Sequence, residues 1–159
     1  MSDSSKPVAV DVWAVTPRAK RSIYPEPFAS MMGDREKRQL GEAFGLANFG
    51  VNLTTLAPGG MSALHHHHAV QDEFIYVVEG HPILVTDAGE TQLAPGMCAG
   101  FKAGSGDAHQ VINRSDARAV YLEIGDRTPG DEVAYPDDDL QARFVDGGWQ
   151  FLHKDGSLY

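Results

Sequence analysis

Between residues 49 and 124 the chain is cut into short apolar or alternating runs, each ending at Gly, Asp, Asn or Pro. In the first, Phe49, Val51, Leu53 and Thr55 alternate with Gly50, Asn52 and Thr54, the period-two pattern of a strand with one buried face. Pro58, Gly59 and Gly60 close it with a turn. Strand-like runs recur at 74–78, 82–86, 91–93, 97–101, 108–112 and 119–124. Seventeen glycines and nine prolines are scattered along the chain, which leaves no room for long helices. Regular short strands with turn punctuation predict an all-β sandwich or barrel.

The flanks read differently. Pro7, Pro17, Pro25 and Pro27 exclude regular helix near the N-terminus and predict an extended arm. Residues 33–45 fit a short helix or a loop, because Gly33, Gly41 and Gly45 interrupt any helical pattern. Residues 46–127 form the expected barrel core. Residues 128–159 form an extension that is polar at first and then ends in a hairpin, with Asp146-Gly147-Gly148 as its turn. With 1–45 as arm and edge segments packing on the barrel, 159 residues suit one domain with its own core.

A net charge of -9 and a pI near 5.1 argue against a phosphate-tracking nucleic-acid surface. Basic residues gather at Arg18, Lys20 and Arg21 and at Arg35, Lys37 and Arg38, but acidic neighbours interleave the second group. Both groups read as solvated faces without a function. Cys98 is the single cysteine, so no intramolecular disulfide can form, and a reducing compartment, the cytoplasm, is expected. Its apolar neighbours read as a buried, inert thiol. MSDSSKPVAV does not resemble a secretory leader, and no apolar run reaches membrane-spanning length, so neither nucleic acid nor membrane is an expected partner.

Four consecutive histidines, His65 to His68, stand mid-chain. On a strand, His66 and His68 share one face while His65 and His67 take the other. Glu73, five residues on, has the wrong parity for that face unless residues 69–72 turn, letting Glu73 open the next strand. His109 begins a later strand. Three imidazoles and a carboxylate make an N3O donor set for a first-row divalent metal (zinc, manganese, iron, nickel, cobalt or copper) and suit calcium poorly. His81 and His153 read as solvent-facing, and Tyr76, Tyr121 and Glu123 as core or cavity-lining residues of barrel strands, with packing favoured.

These residues resemble the cupin superfamily. Its first motif, G-x5-H-x-H-x3-4-E-x6-G, is met by Gly60, His66, His68, Glu73 and Gly80. Its second, G-x5-P-x-G-x2-H-x3-N, is met by Gly96, Gly104, His109 and Asn113, with Lys102 in the proline position and two extra residues before His109. The flanking segments ANFGVNLTTLAPGG, YLEIGDR, YPDDDL and HKDGSLY resemble single-domain bacterial cupins described as sugar-phosphate isomerases. The resemblance implies a double-stranded β-helix, a jelly-roll barrel, whose metal is held by His66, His68, Glu73 and His109. It also implies an enzyme acting on a small oxygen-rich or anionic metabolite, of the sugar or sugar-phosphate isomerase type. A metal-dependent dioxygenase and a non-catalytic binding protein stay open beside it, because this fold hosts many chemistries. The motifs designate no catalytic residue and no organic cofactor. Lys102 and Arg114 are the nearest cations along the chain for a phosphate. Barrel edges and the arm lead to the expectation of a homodimer.

Overall fold

The computed structural model describes residues 6–20 and 22–159; residues 1–5 and Arg21, one of the basic residues noted above, lie outside the described residues. The expected runs form strands: β2 (Phe49–Leu56), β4 (Glu73–Glu79), β5 (Ile83–Thr86), β6 (Gly89–Gln92), β7 (Cys98–Phe101), β8 (His109–Ile112) and β9 (Ala119–Asp126). Between β2 and β4 lies the two-residue β3 (His67–His68). The segment left open between helix and loop holds a strand and a helix, β1 (Arg35–Gln39) and α2 (Leu40–Phe44); α1 (Phe28–Met31) precedes them. The polar stretch after residue 127 conceals β10 (Glu132–Tyr135), and the terminal hairpin is β11 (Leu140–Val145) with β12 (Gly148–Leu152). Asp146 and Gly147 supply the two positive φ angles its tight turn requires, 50° and 81°.

The strands pair antiparallel in two facing layers. One layer is the five-stranded sheet β1-β2-β9-β4-β7. The other joins β12-β11-β10-β3 to β6-β5-β8 through a two-way backbone bridge between His66 and His109, with N···O distances of 3.1 and 2.8 Å. This is the all-β jelly-roll barrel that the strand pattern and the two motifs led us to expect. Leu56, Val77, Val111 and Tyr121 fill the space between the layers. A second cluster packs Phe28 and Met32 from the arm side against Tyr135, Leu140 and Ala142, so the arm and the C-terminal hairpin share one core.

Motif positions have local reasons. Gly80 has φ +81°, and a Cβ there would lie 2.6 Å from the Arg118 carbonyl oxygen, so only glycine lets β4 turn so close to β9. Asn113 is wholly buried, donates to the carbonyls of Leu56 and Ala117, and accepts from the Ser115 N–H, tying the end of β2 to the loop between β8 and β9. Cys98 departs from expectation. On β7 the inward positions are Ala99 and Phe101, so Cys98 and Gly100 face out and the thiol is exposed. Tyr76 likewise points outward from β4, 42% exposed, between Phe74 and Val78.

Candidate metal centre and its cavity

Parity delivers the first two imidazoles. His66 sits at the bridge to β8 and His68 ends β3, both turned inward, whereas His65 turns outward to Asp137 (2.9 Å) and Asp87 (3.4 Å). Residues 69–72 make the required turn, and Glu73 opens β4 facing back. Ligand atoms of His66, His68 and Glu73 lie within 4.8 Å of one another. Glu73 Oε2 is approached by Nε2 of His109, His68 and His66 at 2.9, 3.4 and 3.5 Å.

The outer partners decide what those nitrogens offer. His66 Nδ1 meets the Leu64 carbonyl at 2.7 Å, and His68 Nδ1 meets Asp131 Oδ2 at 2.5 Å. Both partners are acceptors, so each Nδ1 carries the hydrogen and each Nε2 lone pair points at Glu73. Glu73 Oε2 is buried and completes no hydrogen bond with the described residues. Convergent lone pairs around a buried carboxylate oxygen repel unless a cation sits among them, so these residues fit a divalent metal ion. Burial by itself would raise Glu73, but when a hydrogen occupies Nε2 of His109 or His66 in place of a cation, those rings outweigh burial and hold the carboxyl well below its ordinary range. Burial lowers His109, whose ring lies flat on Phe101 with centroids 3.5 Å apart.

The altered second motif still delivers its histidine. In the loop after β7, the Lys102 ammonium and the Ala103 N–H both bind Asp72, and the Gly104 N–H donates to the His68 carbonyl at 2.9 Å. The extra residues are thus absorbed in a loop pinned to the turn that precedes Glu73. Lys102 and Arg114 are not phosphate ligands of this cavity: both are exposed, Lys102 on Asp72 and Arg114 in a two-pronged pair with Glu90.

Asp131 escaped the sequence reading because it lies in a polar stretch 63 residues from His68. It is 1% exposed, and its Oδ1 accepts the N–H groups of Val70 and Gln71. Asp131→Asn is expected to keep those two bonds but to place an NH2 against His68 Nδ1, which drives the hydrogen to Nε2. Metal affinity should fall roughly 10- to 100-fold with little change in fold, as read by competition with a chromogenic chelator.

Comparison with known proteins agrees with this architecture. The Cupin domain family matches residues 52–125. A sugar phosphate isomerase of the cupin superfamily from Silicibacter pomeroyi superposes with a TM-score of 0.90 at 42% identity, covering 95% of this chain and 96% of that one. The chain belongs to the cupin superfamily. A protein of Acidithiobacillus ferrooxidans described as a candidate sugar phosphate isomerase superposes at 0.71 with 30% identity, over 76% of this chain and 77% of that one. The polyketide cyclase RemF of Streptomyces resistomycificus, 20% identical with a TM-score of 0.60 over 74% of this cupin and 78% of its own chain, shares the fold. No curated protein matches the chain.

In this cupin the four side chains stand in a cavity of about 460 Å³, within the size range of small-ligand sites. Its walls correct two sequence readings. Glu123, expected to pack in the core, lines the cavity beside the site, and Tyr121 both packs in the core as expected and reaches the cavity wall; Arg18, Arg35 and Lys37, expected on a solvated basic face, line it too. A usable signal was present in the spacing of Arg35 and Lys37. Two apart on a strand they share a face, and that face turns inward, while Arg38 faces out against Trp13 with 5.3 Å from guanidinium carbon to ring centroid.

Proposed function

We propose that the protein is a metal-dependent isomerase of a small oxygen-rich metabolite of the sugar or sugar-phosphate class, with His66, His68, Glu73 and His109 as ligands of one first-row divalent ion. The observation that carries this reading is the convergence of three imidazole Nε2 atoms on the buried Oε2 of Glu73 inside an open cavity. When bound, such an ion supplies Lewis-acid polarisation of a hydroxycarbonyl oxygen. His66 and His68 are held in their lone-pair tautomers by Leu64 and Asp131, and the cavity walls offer phenol, amide, carboxylate and cationic groups to a polyhydroxylated substrate. The near full-length likeness to the Silicibacter pomeroyi protein supports the same class.

The test is direct. Protein reconstituted with each candidate metal in turn is incubated with aldoses, ketoses and their phosphates in deuterated water and followed by NMR. Interconversion with at least one metal is expected. Consumption of dioxygen without isomerisation would give the site to a dioxygenase instead, and ligand retention without turnover would make it a binding site. In the same reading, residues 1–45, 46–127 and 128–159 act as arm, barrel and extension of one domain in a cytoplasmic homodimer. The exposed apolar row Phe74, Tyr76 and Val78 supports a pairing face.

A further inference from the structure

Away from the metal centre, the cavity carries charge that the four proposed ligands do not use. Side chains facing inward on the five-stranded sheet form cross-strand rows. Gly50, Gly125 and Glu73 make one row, Asn52, Glu123 and Ile75 the next, and Lys37, Thr54 and Tyr121 the third. Successive rows lie about 7 Å apart, two residues along a strand. The row of Glu73 is open because its neighbours are glycines: a Cβ at Gly125 would come no closer than 3.8 Å to any heavy atom, and one at Gly50 no closer than 3.7 Å. One cavity, lined by the imidazoles at one end and by Lys37 and Tyr121 at the other, continues from this row to the third.

That end is cationic. Lys37 reaches back one row to form an ion pair with Glu123, whose carboxylate also accepts from Asn52 at 3.0 Å and Thr54 at 3.2 Å. Arg35, two residues before Lys37 on the same face, is 5% exposed and donates to the Ser62 carbonyl. Arg18 comes from the arm, which the Arg18 N–H to Lys37 carbonyl bond, 3.0 Å, holds along the edge of β1. Arg18, Arg35 and Lys37 thus gather on the cavity wall beside Glu123, where Asp126 and Arg127 add one charge of each sign. Among them stands the hydroxyl of Tyr121, a residue 1% exposed, which completes no hydrogen bond with the described residues. In a chain of net charge -9, a buried concentration of positive charge beside an unsatisfied phenol calls for an oxyanion.

We infer that Arg18, Arg35 and Lys37, with the Tyr121 hydroxyl, form a subsite for a terminal oxyanion, so that the ligand is a polyhydroxylated chain with a phosphate or carboxylate at one end and its oxygens at the His66, His68, Glu73 and His109 cluster at the other. The inference rests on the metal-site reading given under Proposed function for the second end alone. A chain of sugar length spans the one to two rows between Glu73 and the ends of Lys37 and Tyr121, about 7 to 13 Å, and Arg35 stands one row further, opposite Leu56.

Calorimetry of the metal-loaded full chain with inorganic phosphate, gluconate and glucose tests it. Phosphate or gluconate should bind at least about tenfold more tightly than glucose, the share expected for charge-assisted hydrogen bonds. The stronger of the two identifies the oxyanion. Arg18→Gln, whose backbone bond to Lys37 survives, and the paired change Lys37→Met with Glu123→Gln, which removes both charges together, should each cost about tenfold in anion affinity with metal content unchanged. Gly125→Val should block gluconate by narrowing the passage while leaving phosphate bound. Anion affinity no greater than that for glucose, or unmoved by Arg18→Gln and by the paired change, overturns the subsite: the anion would then sit on the metal. A wild-type protein that takes up no metal yet still binds phosphate through Arg18 would instead remove the metal reading and leave the subsite standing.

Discussion

Changing His66 and His68 together to alanine is expected to abolish stoichiometric metal binding. Wild-type protein purified and dialysed against a trace of the divalent ion should carry roughly one metal per chain by elemental analysis, and the double variant only background. Two of three imidazoles converging on Glu73 Oε2 are lost, and the remaining Glu73 and His109 offer too few donors to compete with water and buffer. Stability carries the same signature. At free metal roughly 1,000 times its Kd, bound ion stabilises the folded state by about 4 kcal/mol, so a chelator should lower the Tm of the wild type and leave that of the variant unchanged. Both histidines sit at strand positions fixed by backbone bridges, His66 to His109 and His68 to Val133, so the variant is expected to fold. Equal metal content in the two proteins would remove the ligand assignment.

The second large effect concerns the ion pair of the cavity wall. Lys37→Met should destabilise the protein by about 3 kcal/mol, because Glu123 would keep its burial and lose the cation against it. Burial on its own would raise Glu123, and it is Lys37 that brings the carboxyl below its ordinary value; burial also lowers Lys37 itself. The hydrogen bonds from Asn52 and Thr54 persist in the variant and keep the loss at the lower end of the range for broken buried pairs. Adding Glu123→Gln should recover most of it, to within about 1 kcal/mol of wild type, since a neutral amide keeps those donors without a charge to solvate. Urea unfolding of the three proteins checks this. A single variant no less stable than the paired one would show that Glu123 is solvated well enough to need no partner.

The metal-side constellation was legible because each step is local. The His66 and His68 pairing follows from the two-residue period of a strand, and the change of parity at Glu73 demanded a turn at 69–72 that the structure contains. His109 opening a strand, and His65 facing away, are consequences of the same rule. Where the reading failed, orientation or distance decided. Cys98 looked buried among small apolar neighbours, yet the outer face of this sheet is open to solvent, as Tyr76 on β4 shows, and parity put the thiol there. Lys102 and Arg114 stand close to His109 along the chain, but surface carboxylates of Asp72 and Glu90 hold both outside. The acidic residues interleaved among Arg35, Lys37 and Arg38 suggested solvent, when alternation on β1 simply sends Glu36 and Arg38 outward and the other two inward.

By itself, then, the sequence determined the strand pattern, the turn glycines and the four side chains that meet at one point, since periodicity and backbone geometry act over a few residues. Only the tertiary structure decided which groups surround that point. Asp131 behind His68, Glu123 beside Glu73, Tyr121 at the cavity wall and Arg18 brought in by the arm come from segments far apart in the chain. Their placement depends on which strands pair and which face of each sheet turns inward. Those choices are made by the packing of the whole barrel, and no local spacing encodes them.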